Sequence, residues 1–108
     1  MDVLATVNSK SGIPVRLTHE RWSHIVESHD YMAGNLDLAL EALADPDCVT
    51  FGVSDEVLAL KLYPTTPLGR KHVVVVYREG REDGFVITAF MTSKADKIMQ
   101  RGLQWQKS

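Results

Sequence analysis

Histidines are the side chains of this sequence best suited to chemistry near neutral pH, because imidazole exchanges protons there. Three of the four, His19, His24 and His29, follow one another at intervals of five residues. On a helix that interval is a rotation of ~140°, which does not let one ion hold two of them readily. With one cysteine, no HExxH and no glycine-rich phosphate motif in the chain, we expect no metal site and no nucleotide or other cofactor.

Two of the histidines, His24 and His29, also have a structural interpretation. His29 continues the apolar stripe of Trp22, Ile25 and Val26 at helical spacing, so it could be a histidine at the edge of the core, satisfied by a backbone carbonyl. His24 lies off the centre of that stripe and could be a solvated surface residue. Cys48 has no nucleophile motif around it and is interpreted as a small core residue.

A second group of polar residues lies on segments that are typical of strands. Cations there could stabilise the charge of a phosphorane-like state, and hydroxyls could bind phosphate oxygens. The alternative is a charge pattern that protects strand edges from aggregation. The group consists of Lys61, Tyr63, Arg70, Lys71, His72, Arg78, Thr88, Thr92 and Ser93.

Charge is divided unequally along the chain. Residues 1–60 have a net charge of −7 and residues 61–108 one of +5, although the whole chain carries only −2. The C-terminal half could therefore present a positive surface that attracts phosphates. Neutralisation of the helical layer by the sheet, or contact with an acidic partner, is the alternative.

Length and composition predict a single domain over residues 1–108 that needs no disulfide. The lone cysteine and the lack of a secretory leader favour the cytoplasm. No segment reaches the ~20 apolar residues needed to span a bilayer, so we expect no membrane partner.

Apolar periodicity predicts two helices followed by four strands. The helices are expected over residues 19–29 and from Gly34 or Asn35 to Asp45, and the strands over residues 48–53, 57–63, 72–78 and 85–92. Residues 3–7 are expected to form a short strand, residues 13–17 an edge or linker because of Pro14, and the tail from Ser93 an amphipathic turn or helix. The predicted fold is α+β, with N-terminal helices packed on a four-stranded antiparallel meander sheet.

The ordered set of segments resembles a known family, the phage-encoded barnase-like branch of the superfamily of barnase, EndoU, colicin-type tRNases and RelE toxins (BECR). The resemblance covers nearly the whole chain. Its most specific parts are His24-Ile25 with His29, and the strand Val86–Ala89. The segments are RLTHERWSHIVESHD (16–30), ADPDCV (44–49), HVVVVYRE (72–79) and FVITAFMT (85–92).

The resemblance implies metal-independent cleavage of RNA, in which a base takes the proton of a ribose 2′-hydroxyl and an acid protonates the leaving 5′-oxygen. His24 or His29 would be the acid or base, and Lys71 or Arg78 would stabilise phosphate charge. Thr88 would position the substrate.

The first functional hypothesis is therefore a small endoribonuclease of a toxin or phage-conflict type. It would act on RNA or tRNA, and a protein inhibitor or antitoxin is a candidate partner. Substrate binding is assigned to Lys61, Tyr63, Arg70, Thr92 and Ser93. The alternatives are a non-catalytic RNA- or protein-binding module on the same fold and a regulatory homo-oligomer.

Overall fold

Seven strands form one mixed sheet in the computed structural model, which describes residues 2–108. The strand order across the sheet is β1-β2-β6-β5-β4-β3-β7. In chain order the elements are β1 (Val3–Asn8), β2 (Pro14–Thr18), α1 (His19–Ser28), a 3-10 helix (Asp30–Met32), α2 (Leu36–Ala44), β3 (Cys48–Phe51), β4 (Val57–Thr66), β5 (Gly69–Glu79), β6 (Gly84–Thr92), α3 (Ala95–Met99) and β7 (Leu103–Gln106).

The middle of β5 is buried on both faces of the sheet. Every residue from Val73 to Tyr77 is buried, as expected for a β-branched run that has no polar alternation. Val73, Val75 and Tyr77 belong to a core with α1 and α2, whereas Val74 and Val76 belong to a second core against α3. We call these two sides of the sheet the helix face and the α3 face.

Helices α1 and α2 cover the helix face. The Thr18 hydroxyl caps α1 by accepting the Arg21 N–H at 3.0 Å, as the sequence predicts. α2 places Ala39, Ala42 and Leu43 in the core. On the other side of the sheet, Ala95 of the short helix α3 is buried against Leu58, Leu60 and Cys48.

The predicted four-stranded antiparallel meander with N-terminal helices is wrong. Two strands precede the helices, and β2 joins the sheet by pairing parallel with β6 at Val15↔Gly84 and Arg16↔Phe85. Pro14 is compatible with this strand because it is the first residue, where a missing N–H does little harm to the ladder. The sheet is mixed, it has seven strands, and α1 and α2 are inserted between β2 and β3.

The C-terminal segment also differs from the prediction. α3 ends at Met99, and Gly102, with a positive φ of 115°, turns the chain into a seventh strand. β7 pairs antiparallel with β3, with Trp105 opposite Val49. The predicted amphipathic turn or helix after Ser93 corresponds to α3, whereas β7 was not predicted, because its pairing with β3 depends on residues distant in the sequence.

The ends of the sheet approach each other. Lys10, in the turn after β1, has its Nζ 4.3 Å from the ring centroid of Trp105 in β7, although β1 and β7 are the first and last strands in the sheet order. Trp105 also packs on the helix-face core. The sheet therefore curls around α2, and the cation–π contact joins its two ends.

No helix of residues 2–108 is long and apolar enough to cross a membrane.

Leu43 tests the contribution of the helix-face core. Its side chain is 1% exposed, so we expect Leu43→Ala to lower the free energy of unfolding by about 2–5 kcal/mol, since the substitution loses apolar contacts and leaves a cavity. Leu68→Ala is the matched control: Leu68 is 47% exposed, and the expected loss is below about 0.5 kcal/mol. Urea titration measures both variants, and equal losses would contradict the assigned core.

Candidate functional site

A polar cleft lies where β5 begins and β6 ends. It has a volume of about 230 Å³ and is lined by Leu62, Arg70, Lys71, His72, Thr92 and Ser93. Four of the predicted site residues meet there: Arg70, Lys71, Thr92 and Ser93. His72 joins them, a residue that the sequence places on the same strand but to which we assigned no catalytic role.

Strand pairing brings these residues together. His72 lies opposite Leu62 of β4 and opposite Thr92 of β6, so the three side chains share the α3 face. The Lys71 Nζ donates to the Ser93 Oγ at 2.7 Å, which draws the lysine toward the end of β6. By alternation Lys71 and Ser93 belong to the helix face, so the cleft lies at the end of the sheet, where residues of both faces line it. It combines two cations, one imidazole and two hydroxyls, a set of groups that suits a phosphate.

The β4–β5 turn places Arg70 at the rim of the cleft. The sequence predicted a long connection over residues 64–71, but β4 continues to Thr66, pairs with Gly69 and leaves only two residues between them. A register shift between Tyr63 and Thr66 accommodates Pro64. Gly69 has a positive φ of 91°, a conformation that glycine adopts at little cost.

The surroundings of His72 favour the neutral form of its imidazole. Burial lowers its pKa from the ordinary 6.5, and the nearby Arg70 lowers it further, while the carboxylate of Asp47 acts in the opposite direction. At neutral pH the imidazole is therefore unprotonated and can accept a proton. Because the unfolded chain binds this proton more readily, His72 contributes less to stability as the pH falls through its unfolded pKa near 6.5.

NMR titration of the histidine ring protons tests this environment. We expect His72 to titrate below 6.5, Arg70→Gln to raise its pKa because a cation is removed, and Asp47→Asn to lower it because an anion is removed. The asparagine oxygen can still accept the Leu62 N–H that Asp47 now binds at 2.7 Å. Shifts of the same sign in the two variants would contradict the proposed electrostatics.

His29 lies at the open edge of β6. It ends α1, and its backbone N–H donates to the Ile25 carbonyl. Its Nδ1 is 3.1 Å from the Tyr31 hydroxyl, which also accepts the Met91 N–H of β6 at 3.3 Å. This contact occupies Nδ1, whichever of the two groups donates, and leaves Nε2 as the ring nitrogen open to another partner.

Tyr31→Phe tests this arrangement. The variant loses both hydroxyl contacts, so we expect the free energy of unfolding to fall by about 1 kcal/mol and the Met91 amide to exchange its hydrogen faster. The Val73 amide, in the interior of the sheet, serves as the internal reference. Unchanged protection of the Met91 amide would show that Tyr31 does not bind the strand edge in solution.

His24 lies apart from the cleft. Its side chain is exposed and has only distant carboxylate neighbours, with Nε2 3.8 Å from Glu20 and Nδ1 3.9 Å from Glu27. It lines an open hollow of about 320 Å³ together with Asp2, Thr18, His19, Glu20 and Arg21. That hollow is larger than the polar cleft, but Asp2 and Glu20 oppose the binding of a phosphate there.

Lys61 and Tyr63 contact α2. The Lys61 Nζ donates to the Asp45 backbone oxygen at 3.0 Å and lies 3.5 Å from its carboxylate. The Tyr63 hydroxyl donates its proton to the Glu41 carboxylate and lies 3.3 Å from the Leu38 carbonyl, and burial and Glu41 together raise its pKa. These two predicted substrate-binding residues are therefore engaged in joining the sheet to the helix.

Arg78 and Thr88 lie elsewhere on the α3 face. Arg78 is opposite Phe85, six residues from His72 along β5, a separation of about 20 Å at ~3.4 Å per residue. Thr88 is half-buried opposite Val76, on the same face as His72. The cleft thus includes Lys71 but not Arg78, the other cation predicted to stabilise phosphate charge.

The positions of two residues of the site, His72 and Tyr31, could not be predicted from the sequence. His72 was recognisable as part of a basic run, but the pairing that places it beside Thr92 was not. Tyr31 follows the predicted helix and carried no signal, since its two partners are His29 and the distant Met91. Within residues 2–108, no group of three or more His, Cys, Asp or Glu residues is placed to hold a metal ion.

Comparisons with models of protein families, with curated proteins and with solved structures found no match to this chain.

Proposed function

We propose that this protein is an endoribonuclease that cleaves RNA at the polar cleft without a metal. The observation that carries the proposal is a histidine with a lowered pKa beside two cations and two hydroxyls. A neutral imidazole can accept the proton of a ribose 2′-hydroxyl, whereas Arg70 and Lys71 can neutralise the phosphate. The hydroxyls of Thr92 and Ser93 can donate to its oxygens.

The proposed reaction is an internal transfer at phosphorus. His72 takes the 2′-hydroxyl proton, the 2′-oxygen bonds to phosphorus, and the bond to the 5′-oxygen breaks. The products are a 2′,3′-cyclic phosphate and a 5′-hydroxyl. His29, at the β6 edge, is the proposed acid: as an imidazolium it gives the 5′-oxygen its proton and becomes neutral, while His72 becomes the imidazolium.

The same proposal includes membership of the BECR superfamily. It also includes a toxin or phage-conflict role, tRNA as the substrate, a protein inhibitor as a partner and a cytoplasmic location. The resemblance in the motifs supports the membership. Cys48 is free and buried, and burial raises its pKa, so it suits a compartment where thiols stay reduced.

A binding module without catalysis is the second candidate. Two observations favour it: the chain carries a net charge of −2, and within residues 2–108 no hydrogen bond or ring contact joins His29 to the cleft histidine. Such a module would bind RNA in a manner that weakens with salt and would release no product.

Cleavage of labelled RNA in EDTA tests the proposal. We expect wild-type protein to yield 2′,3′-cyclic phosphate ends and His72→Ala to cut about 10²–10⁴-fold more slowly, the range typical of a lost general base. Lys71→Gln should also slow cleavage because the phosphate loses a cation.

His24→Ala is the matched control, because it removes an exposed imidazole outside the cleft, and it should cut within about twofold of wild type. RNA binding without any product would favour the binding module. Cleavage that persists in His72→Ala would refute the assigned base, and loss of cleavage in His24→Ala would return His24 to the site.

A further inference from the structure

Phe90 presents an aromatic ring on the α3 face of β6. It is half-buried, packs at the border of the second core and lies opposite Val74. The imidazole of His29 lies beside it, with ring centroids 5.8 Å apart and an angle of 36° between the planes. The two flat rings thus meet at the edge of β6 that faces away from β5. Within residues 2–108, the strand that pairs on this edge is β2, and it does so at Gly84 and Phe85 alone.

These rings are close to the polar cleft. Alternate residues of a strand lie on one face at ~6.8 Å intervals, so Thr92 of the cleft is the next α3-face residue after Phe90, and Thr88 is the one before. Thr92 in turn lies opposite His72. A nucleotide whose phosphate occupies the cleft therefore has its sugar and base within reach of Phe90.

The chemistry of the two rings suits a nucleobase. Bases stack on aromatic side chains whatever their sequence, and each stack contributes about 1–3 kcal/mol to binding. In the proposed reaction Nε2 of His29 serves the leaving 5′-oxygen, because Nδ1 contacts Tyr31, so the imidazole contributes only its ring face to the base. The hydroxyl of Thr88, on the same face of the sheet, is the hydrogen-bonding group for a base edge.

We propose that Phe90 and His29 form a nucleobase-binding subsite beside the phosphate cleft. The ligand is the unpaired base of a nucleotide next to the scissile phosphate, so the substrate is single-stranded RNA or a loop. This inference rests on the proposed function and specifies its substrate.

The test compares RNA oligonucleotides that differ by one base. Each contains the step that wild-type protein cuts, and in two of them the nucleotide on one or the other side of that step is abasic. We expect one abasic substrate to lower kcat/KM about tenfold, mainly through KM, because the stack is lost. Phe90→Leu should lower kcat/KM by a similar factor on the intact RNA and cause no further loss on that abasic RNA.

Two further variants control for the fold. Phe85→Leu removes another phenylalanine from the α3 face of the same strand, 45% exposed and outside the cleft, and should cut as wild type does. Phe90→Tyr retains the ring and should restore cleavage even if Phe90→Leu lowers the melting temperature. Wild-type rates for Phe90→Leu, or equal cleavage of the intact RNA and both abasic RNAs, would overturn the subsite.

Failure of the proposed function gives a different result. If wild-type protein leaves every RNA uncut, fluorescence anisotropy with the same oligonucleotides measures binding instead. The subsite then predicts affinity about tenfold weaker for one abasic RNA and for Phe90→Leu. Equal affinities, or no binding by wild type, would overturn it, whereas the expected losses without cleavage would retain the subsite and reject only the nuclease.

Discussion

The burial of β5 on both faces is the constraint on which the rest of the structure depends. Five consecutive residues, Val73–Tyr77, are withdrawn from solvent by α1 and α2 on one side and by α3 with neighbouring side chains on the other. A strand of this kind cannot carry accessible polar groups at its centre. Chemistry is consequently restricted to its two ends, at Arg70–His72 and at Arg78.

This restriction explains why the sequence indicated some residues of the cleft but not the roles of others. The basic run before Val73 was visible in the sequence, and it forms the cleft together with Thr92 and Ser93. The roles of Lys61 and Tyr63 were not visible, because their partners in α2 and at its C-cap are 16 and 22–25 residues away. Alternation alone assigns residues to a face, but it does not say which face a helix covers.

The predictions about the fold divide in the same way, into those that local sequence supports and those that depend on distant residues. Long segments with strong periodicity, such as α1, β5 and β6, lie close to their predicted ranges. The errors concern short strands whose position depends on distant partners: β2 pairs with β6 through only two residue pairs, and β7 has four residues. Local propensity carries little information about such pairings, because their stability comes from contacts between segments that are distant in the sequence.

The curl that brings Lys10 to Trp105 also bears on the order in which the molecule can be assembled. Until β7 has paired with it, β3 keeps one edge of the sheet unpaired. An exposed strand edge is a template for pairing with other chains. Pairing of β7 therefore closes an edge of β3 that could otherwise pair with another chain.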